Sequence, residues 1–263
     1  MNIPVLENIL QIEKDKENAI LNELTKLMKI SKYNKASTAK IRSMVKSECF
    51  KAGQLTRNFN NNKQHDAGEF LISILEHMFS QVPDYLMEKM FGGLLEERIQ
   101  CCCCNLEEFS IKPLPVIIPL QIKGKGIETC LKEFVETERI EYSCNACRSK
   151  QATIAKNFSL EPALLILQLN RYHFNKEINE IQKIHSPVEC PPTLMLETGS
   201  FYTLSSIVNH SGEKTHEGHY TVILYDKREN SYILVDDKEV SYDITITTEL
   251  QQLPYIVTYV KDS

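Results

Sequence analysis

The residues of this 263-residue chain with the widest chemical range are nine cysteines and seven histidines. Several of them are clustered. Cys101-Cys102-Cys103-Cys104 and Cys144-Asn145-Ala146-Cys147 each contain a C-x-x-C pair, if the outer residues of the first run are taken. A C-x-x-C turn lets two thiolates reach one ion, and two such turns complete a tetrahedral site with four sulfur ligands. Zinc is the expected occupant, since sulfur-only tetrahedral sites suit it or iron–sulfur. The spacing leaves open which two residues of the first run are ligands. The alternative is that Cys101 to Cys104 are buried small residues and that the second spacing is a coincidence. A closed site of this kind is structural and staples a hairpin arm too small to build its own core.

The second constellation lies in "HSGEKTHEGHYTVILYDKRENSYILVDDKEV", from His210 to Val240. His219 begins an apolar run, and Asp236 lies seventeen residues on, at the end of the next one. A hairpin joining the two strands would bring them level. Asp236 would then accept from the imidazole, fix its tautomer and stabilise the imidazolium, leaving the other nitrogen for a nucleophile. On spacing alone His210 and His216 serve equally well, and a lone histidine beside glycine on a strand is more often a core or surface residue.

Positioning elements follow from periodicity. Leu6, Ile9 and Leu10, then Ile20, Leu24, Leu27 and Met28, recur at helical spacing. "STAKIRSMVKSE" predicts a second helix, capped by Ser37 or Thr38. "QHDAGEFLISILEHMF" predicts a third, with Ala67, Phe70, Leu71, Ile74, Leu75, Met78 and Phe79 on one face as core packing. After Gly92-Gly93 the character changes. "LLEERIQ", "EEFSIKPLPVIIPL", "QATIAKNFSL", "ALLILQLNRYHF", "FYTLSSIVNH", "HYTVILYDK", "SYILVDD" and "YIVTYV" read as strands, and "ETCLKEFVE" as a short helix. "HYTVILY" reads as a strand buried on both faces. Helices first and strands later is an α+β plan.

Composition bounds the rest. A hydrophobic fraction of 42% is enough for a core, and a net charge of −5 argues against general nucleic-acid binding. The longest apolar runs, "LPVIIPL" and "ALLILQL", are too short to span a membrane. "MNIPVLENILQIEKDKEN" lacks the order of a secretory signal, so the cysteines read as reduced thiols of the cytosol or nucleus.

Four blocks together resemble the catalytic domain of the ubiquitin-specific proteases, the cysteine deubiquitinases. "QHDAGEFL" is similar to the family's Q-x-D-A-x-E-F-L box, and the two C-x-x-C pairs to its zinc fingers. "EPALLILQLNRY" is similar to its L-P-x-x-L-x-x-x-L-K-R-F strand, with Asn170 where lysine is usual. "NHSG…EGHY…VDDKEV" is similar to its histidine and aspartate boxes.

The resemblance implies an α+β, papain-like cysteine-protease fold in one domain. Residues 1–92 would be a helical thumb, 93–160 zinc-ribbon fingers, and 161–263 a β-sheet palm. It implies a structural zinc on Cys101, Cys104, Cys144 and Cys147, and ubiquitin or ubiquitinated proteins as partners of a monomer. It implies His219 as general base, Asp236 as its orienting partner and Asp237 as an adjacent acid, with Gln64 and Asp66 beside the cleft that takes ubiquitin's tail. The family's nucleophile is a cysteine in a box like G-N-T-C-Y-M-N-S-x-L-Q. Met1-Asn2 aligns with its M-N, which places the nucleophile two residues before Met1. Cys49 lacks the Gly-Asn context. Three readings follow. The chain is a truncated body of an active isopeptidase, a ubiquitin-binding pseudoenzyme without its thiol, or a zinc-stapled interaction module.

Overall fold

The computed structural model describes residues 64–262 other than 82, 178, 215–216, 227–228, 238 and 248–252. The helices expected within residues 1–63, together with Cys49, His216 and the side chain of Met78, lie outside the described residues.

Two helices come first, α1 (Ala67–Gln81) and α2 (Asp84–Phe91). Leu71, Ile74 and Leu75 of α1 pack with Leu86, Met87, Met90 and Phe91 of α2. Phe70 and Phe79 are more than a third exposed, so the apolar stripe of α1 is wider than its contact with the core. The chain then runs out along β1 (Leu94–Cys101) and back along β2 (Glu107–Pro113). It enters the main sheet as β3 (Ile117–Gln121), forms α3 (Ile127–Val135), and leaves again on β4 (Glu138–Glu141). It returns along β5 (Gln151–Leu160) and re-enters the main sheet as β6 (Leu164–Asn170). The two excursions pair into one antiparallel arm of order β2-β1-β5-β4. Because β3 and β6 each follow a returning hairpin, they lie side by side and parallel.

The remaining elements are β7 (Tyr172–Asn175) and β8 (Glu180–Lys183), which pair with each other, and β9 (Thr193–Met195). Then follow β10 (Phe201–Lys214), β11 (Glu217–Asp226), β12 (Ser231–Asp236), β13 (Glu239–Ile244) and β14 (Pro254–Lys261). The main sheet has the order β13-β12-β11-β10-β14-β6-β3, with β9 extending the edge of β10.

Strand β6 shows why the run "LLILQL" is continuously apolar. Leu165, Leu167 and Leu169 face a core that includes α3, while Leu164 and Ile166 face α1 and α2. A strand covered on both faces has no solvent side to mark with polar residues.

Three sequence expectations are corrected. "EEFSIKPLPVIIPL" is two strands in two sheets, because Pro113 and Pro115 bracket the corner at Leu114. "ALLILQLNRYHF" is likewise broken at Arg171, which leaves the ladder to turn its side chain inward. In β11 only Ile223 among residues 220–225 is fully buried, because the strand lies toward the β13 edge and away from the double-covered centre.

Candidate active site and metal centre

The cysteine pairs occupy the far ends of the two arm hairpins, and the same turn is built twice. The Asn105 amide donates to Cys101 O at 3.0 Å, and the Arg148 amide to Cys144 O at 3.0 Å. The strands are closed by Cys101 N to Leu106 O and Cys144 N to Ser149 O, both at 2.9 Å. The residue after each second cysteine is left-handed, Asn105 at φ 56° and Arg148 at φ 62°. Strands β1 and β5 are neighbours, so the two turns meet.

Cys101 Sγ lies 3.6 Å from Cys147 Sγ, and Cys104 Sγ lies 3.6 Å from Cys144 Sγ. All four sulfurs fall within 4.8 Å of one another. A disulfide needs sulfurs about 2.05 Å apart. Four sulfurs about 2.3 Å from one tetrahedral ion stand about 3.8 Å from each other. The donor set and its spacing therefore fit zinc. Amides of Cys104 and Cys103 aimed at Cys101 hold that thiol down at about 6, which favours the thiolate form that a zinc ligand takes. The structure resolves which residues of the first run converge. Cys101 and Cys104 carry the sulfurs that converge, and Cys102 and Cys103 stand outside that cluster.

The histidine and aspartates meet across β11 and β12. Thr221 is opposite Asp236, and His219, two residues back on the same face, reaches diagonally to it. His219 Nε2 lies 2.5 Å from Asp236 Oδ1. Asp237 follows in the left-handed region at φ 49°, which brings its Oδ2 to 3.9 Å from His219 Nδ1. With Asp236 on Nε2, Nδ1 is the nitrogen left for chemistry. Both His219 and Asp236 are almost half exposed.

Gln64 ties a distant segment to this strand. Its Nε2 donates to Gly218 O at 2.6 Å, and its Oε1 accepts from Gly218 N at 2.9 Å. The amide thus replaces a missing β-ladder partner next to His219. Asp66 is buried and committed: Oδ1 accepts from the amides of Gly68 and Glu69, capping α1, and Oδ2 accepts from Tyr255.

Beneath the site lies a polar layer that sequence reasoning did not assign. Lys183 donates to His210 O at 2.9 Å and to Gly212 O at 2.5 Å, gripping the hairpin that carries His219. Arg171, fully buried, donates to the carbonyls of Pro254, Ile184 and Ser186. Burial brings its guanidinium down to about 10. The sequence signal for both was a basic residue within an otherwise apolar or alternating run, which local pattern reads as surface.

His210 is not interchangeable with His219. It is 1% exposed, with Tyr172 Oη at 3.1 Å from its Nδ1 and the Tyr220 ring 4.3 Å away. Burial, with Lys183 as a second cause, lowers its pKa from 6.5 to about 4. The native state therefore keeps His210 neutral where the unfolded chain protonates. Its contribution to stability is complete above about pH 6.5 and is lost as pH falls toward 4. The shift corresponds to about 3 kcal/mol at most. Urea midpoints at pH 7.5 and 4.5 are expected to differ less in a His210→Gln variant than in the parent.

The family model for ubiquitin carboxyl-terminal hydrolase matches residues 1–259. The chain belongs to the ubiquitin carboxyl-terminal hydrolase family. Within it the resemblance is to the ubiquitin-specific proteases, a class of cysteine-type deubiquitinases. It is 28% identical over 218 residues to the probable ubiquitin carboxyl-terminal hydrolase 8 of Schizosaccharomyces pombe, covering 78% of this chain and 47% of that protein. It is 28% identical to ubiquitin carboxyl-terminal hydrolase 23 of Arabidopsis thaliana, covering 79% of this chain and 27% of that protein. The chain thus spans half or less of the length of these relatives.

Among solved structures, this chain shares its fold with a SAGA DUB module of Ubp8, Sgf11, Sus1 and Sgf73 bound to monoubiquitin. The TM-score is 0.77 at 23% identity, over 94% of this chain and 59% of that one. The same module bound to ubiquitin aldehyde gives 0.79 at 22% identity, over 98% and 63%. The fold is the α+β deubiquitinase fold with a zinc-ribbon arm. No helix among the described residues is long and apolar enough to cross a membrane.

Proposed function

We propose that this chain is the ubiquitin-gripping body of a cysteine-type deubiquitinase. Residues 1–92 serve as thumb, 93–160 as fingers and 161–263 as palm. His219 is the base, Asp236 orients it, Asp237 is the adjacent acid, and Gln64 and Asp66 border the cleft for ubiquitin's tail. The observation that carries this reading is the His219–Asp236 pair at 2.5 Å, on a strand whose preceding glycine is clamped by Gln64. That is a base with a fixed tautomer and a fixed backbone. Given a thiol beside Nδ1, the ring takes the S–H proton. The thiolate then attacks the isopeptide carbonyl carbon, and the proton passes to the leaving lysine amine. Water, deprotonated by the same nitrogen, releases the acyl group.

Among the described residues the cysteines are placed elsewhere. Four converge at the arm tip, Cys102 and Cys103 are exposed beside them, and Cys130 and Cys190 are buried in the core. Cys49 lies outside the described residues and lacks the Gly-Asn context of the family's nucleophile, and this chain is proposed to bind ubiquitin without cleaving it. A reducing compartment, cytosol or nucleus, keeps the four thiolates available to zinc.

Two assays test the two halves of the proposal. Calorimetric titration with ubiquitin is expected to show binding, and His219→Ala and Asp236→Asn are expected to leave its affinity within about twofold, since both act on chemistry and not on grip. No binding would remove ubiquitin as the partner. An electrophilic ubiquitin probe is expected to form no adduct, and covalent labelling of Cys49 or any other thiol would overturn the claim of inactivity.

A further inference from the structure

We propose that His219, Asp236 and Asp237 form a second divalent-cation site, weaker than the four-cysteine centre and suited to zinc. The three side chains offer ligand atoms that all lie within 4.8 Å of one another. The two contacts of the imidazole differ in kind. Asp236 Oδ1 sits at 2.5 Å from Nε2, a hydrogen bond, which leaves Nδ1 with the free lone pair. Asp237 Oδ2 stands 3.9 Å from that Nδ1. This is too long for a hydrogen bond. It lies between the separations expected for two ligands of one ion with bonds of about 2.0–2.2 Å, about 3.4 Å when tetrahedral and about 4.2 Å when opposed.

The arrangement is that of a carboxylate behind an imidazole whose far nitrogen faces a metal, with a second carboxylate beside it. Among the described residues no lysine or arginine pairs with either aspartate, so both carboxylates face the ring without a competing cation. Asp237 is 79% exposed, leaving coordination positions open to water. With Nδ1 and Asp237 as direct ligands and Asp236 behind the ring, the site is weak, and the four-sulfur centre fills first.

An ion here holds the lone pair that the proposed base would use, so it would act as a reversible block. That consequence rests on His219 being the base, whereas the binding does not.

The test uses protein already carrying one equivalent of zinc in its arm. Titration with Zn²⁺ by calorimetry, and with Co²⁺ followed by visible absorption, is expected to show a second, weaker equivalent. His219→Ala and Asp237→Ala are expected to remove that equivalent while retaining the first. Asp236→Asn is expected to weaken it about 10–100-fold. In the parent protein, the His219 ring proton resonances are expected to shift on Zn²⁺ addition, a readout independent of any variant. Uptake that stops at one equivalent, or a second equivalent indifferent to His219→Ala, would overturn the site. Ubiquitin titration of the same sample keeps a failure here apart from a failure of the functional reading.

Discussion

Cys104→Ser is expected to empty the four-cysteine centre and unfold the arm. Structural zinc sites of this type contribute about 10–16 kcal/mol of apparent binding free energy, and that free energy is folding free energy where the site does not exist without the metal. The arm has little else. Nearly all of β2 is exposed, and Phe109 and Ile111 stand more than 60% accessible on it. A four-stranded sheet with one open outer strand and a short β4 on the other edge does not bury enough apolar surface to hold itself. Metal analysis is expected to fall from one zinc per chain to none, with loss of β signal in the far-ultraviolet dichroism. Ubiquitin binding is expected to go with it. Cys102→Ser and Cys103→Ser, on the same turn but outside the sulfur cluster, are expected to keep one zinc and full binding. If Cys103→Ser loses the ion as Cys104→Ser does, the assigned ligand set is wrong.

The second large effect is expected at a position with no side chain. Gly218 has φ 152°, and a Cβ there would stand 2.1 Å from Ser211 O and 2.7 Å from His210 Nε2. Across the hairpin, Gly212 is pressed as closely, with Gly218 Cα 2.6 Å from where its own Cβ would be. Nothing local can yield, because Lys183 holds the carbonyls of His210 and Gly212 from below. Gly218→Ala is expected to cost about 3 kcal/mol or more, the upper end of ordinary point substitutions. It should also release the Gln64 clamp and displace His219. Gly199→Ala is the control. It also has a positive φ, of 90°, but nothing lies within 4 Å of the added carbon, so only the backbone conformation is charged, about 1–2 kcal/mol. Denaturant unfolding of the two variants side by side measures the difference. Equal losses would mean that crowding at Gly218 is relieved by movement of the hairpin.

The parts of the molecule legible in the sequence are those whose causes are local. The run "QATIAKNFSL" coincides with β5, and "ETCLKEFV" lies within α3 after Ile127, because alternation and helical spacing are written within ten residues. The cysteine pairs were legible for the same reason. What stayed hidden depends on residues far apart. Gln64 and Gly218 are 154 positions apart, and no property of either announces the other. Arg171 reads as a polar residue among apolar ones, and only the fold brings three carbonyls to it. The metal turns use Asn105 and Arg148 in a conformation that sequence reading assigns to glycine. The strands β4 "ERIE" and β8 "EIQK" carry one apolar residue each, too little for a pattern.

The route of the chain through the arm sets an order on assembly. Between the two cysteine turns it dips back into the main sheet to lay down β3 and α3. An ion that joins Cys104 to Cys144, 40 residues on, therefore closes a loop that includes β3 of the main sheet. In the unfolded chain such a closure costs conformational entropy that grows only slowly with loop length. Metal captured early shortens the search by which β3 finds its parallel partner β6, a non-local pairing of the kind that forms slowly. Metal captured late has to thread nothing but must find both turns already in place. The four-cysteine centre is thereby coupled, through the route of the chain, to the sheet that carries His219 as well as to the arm itself.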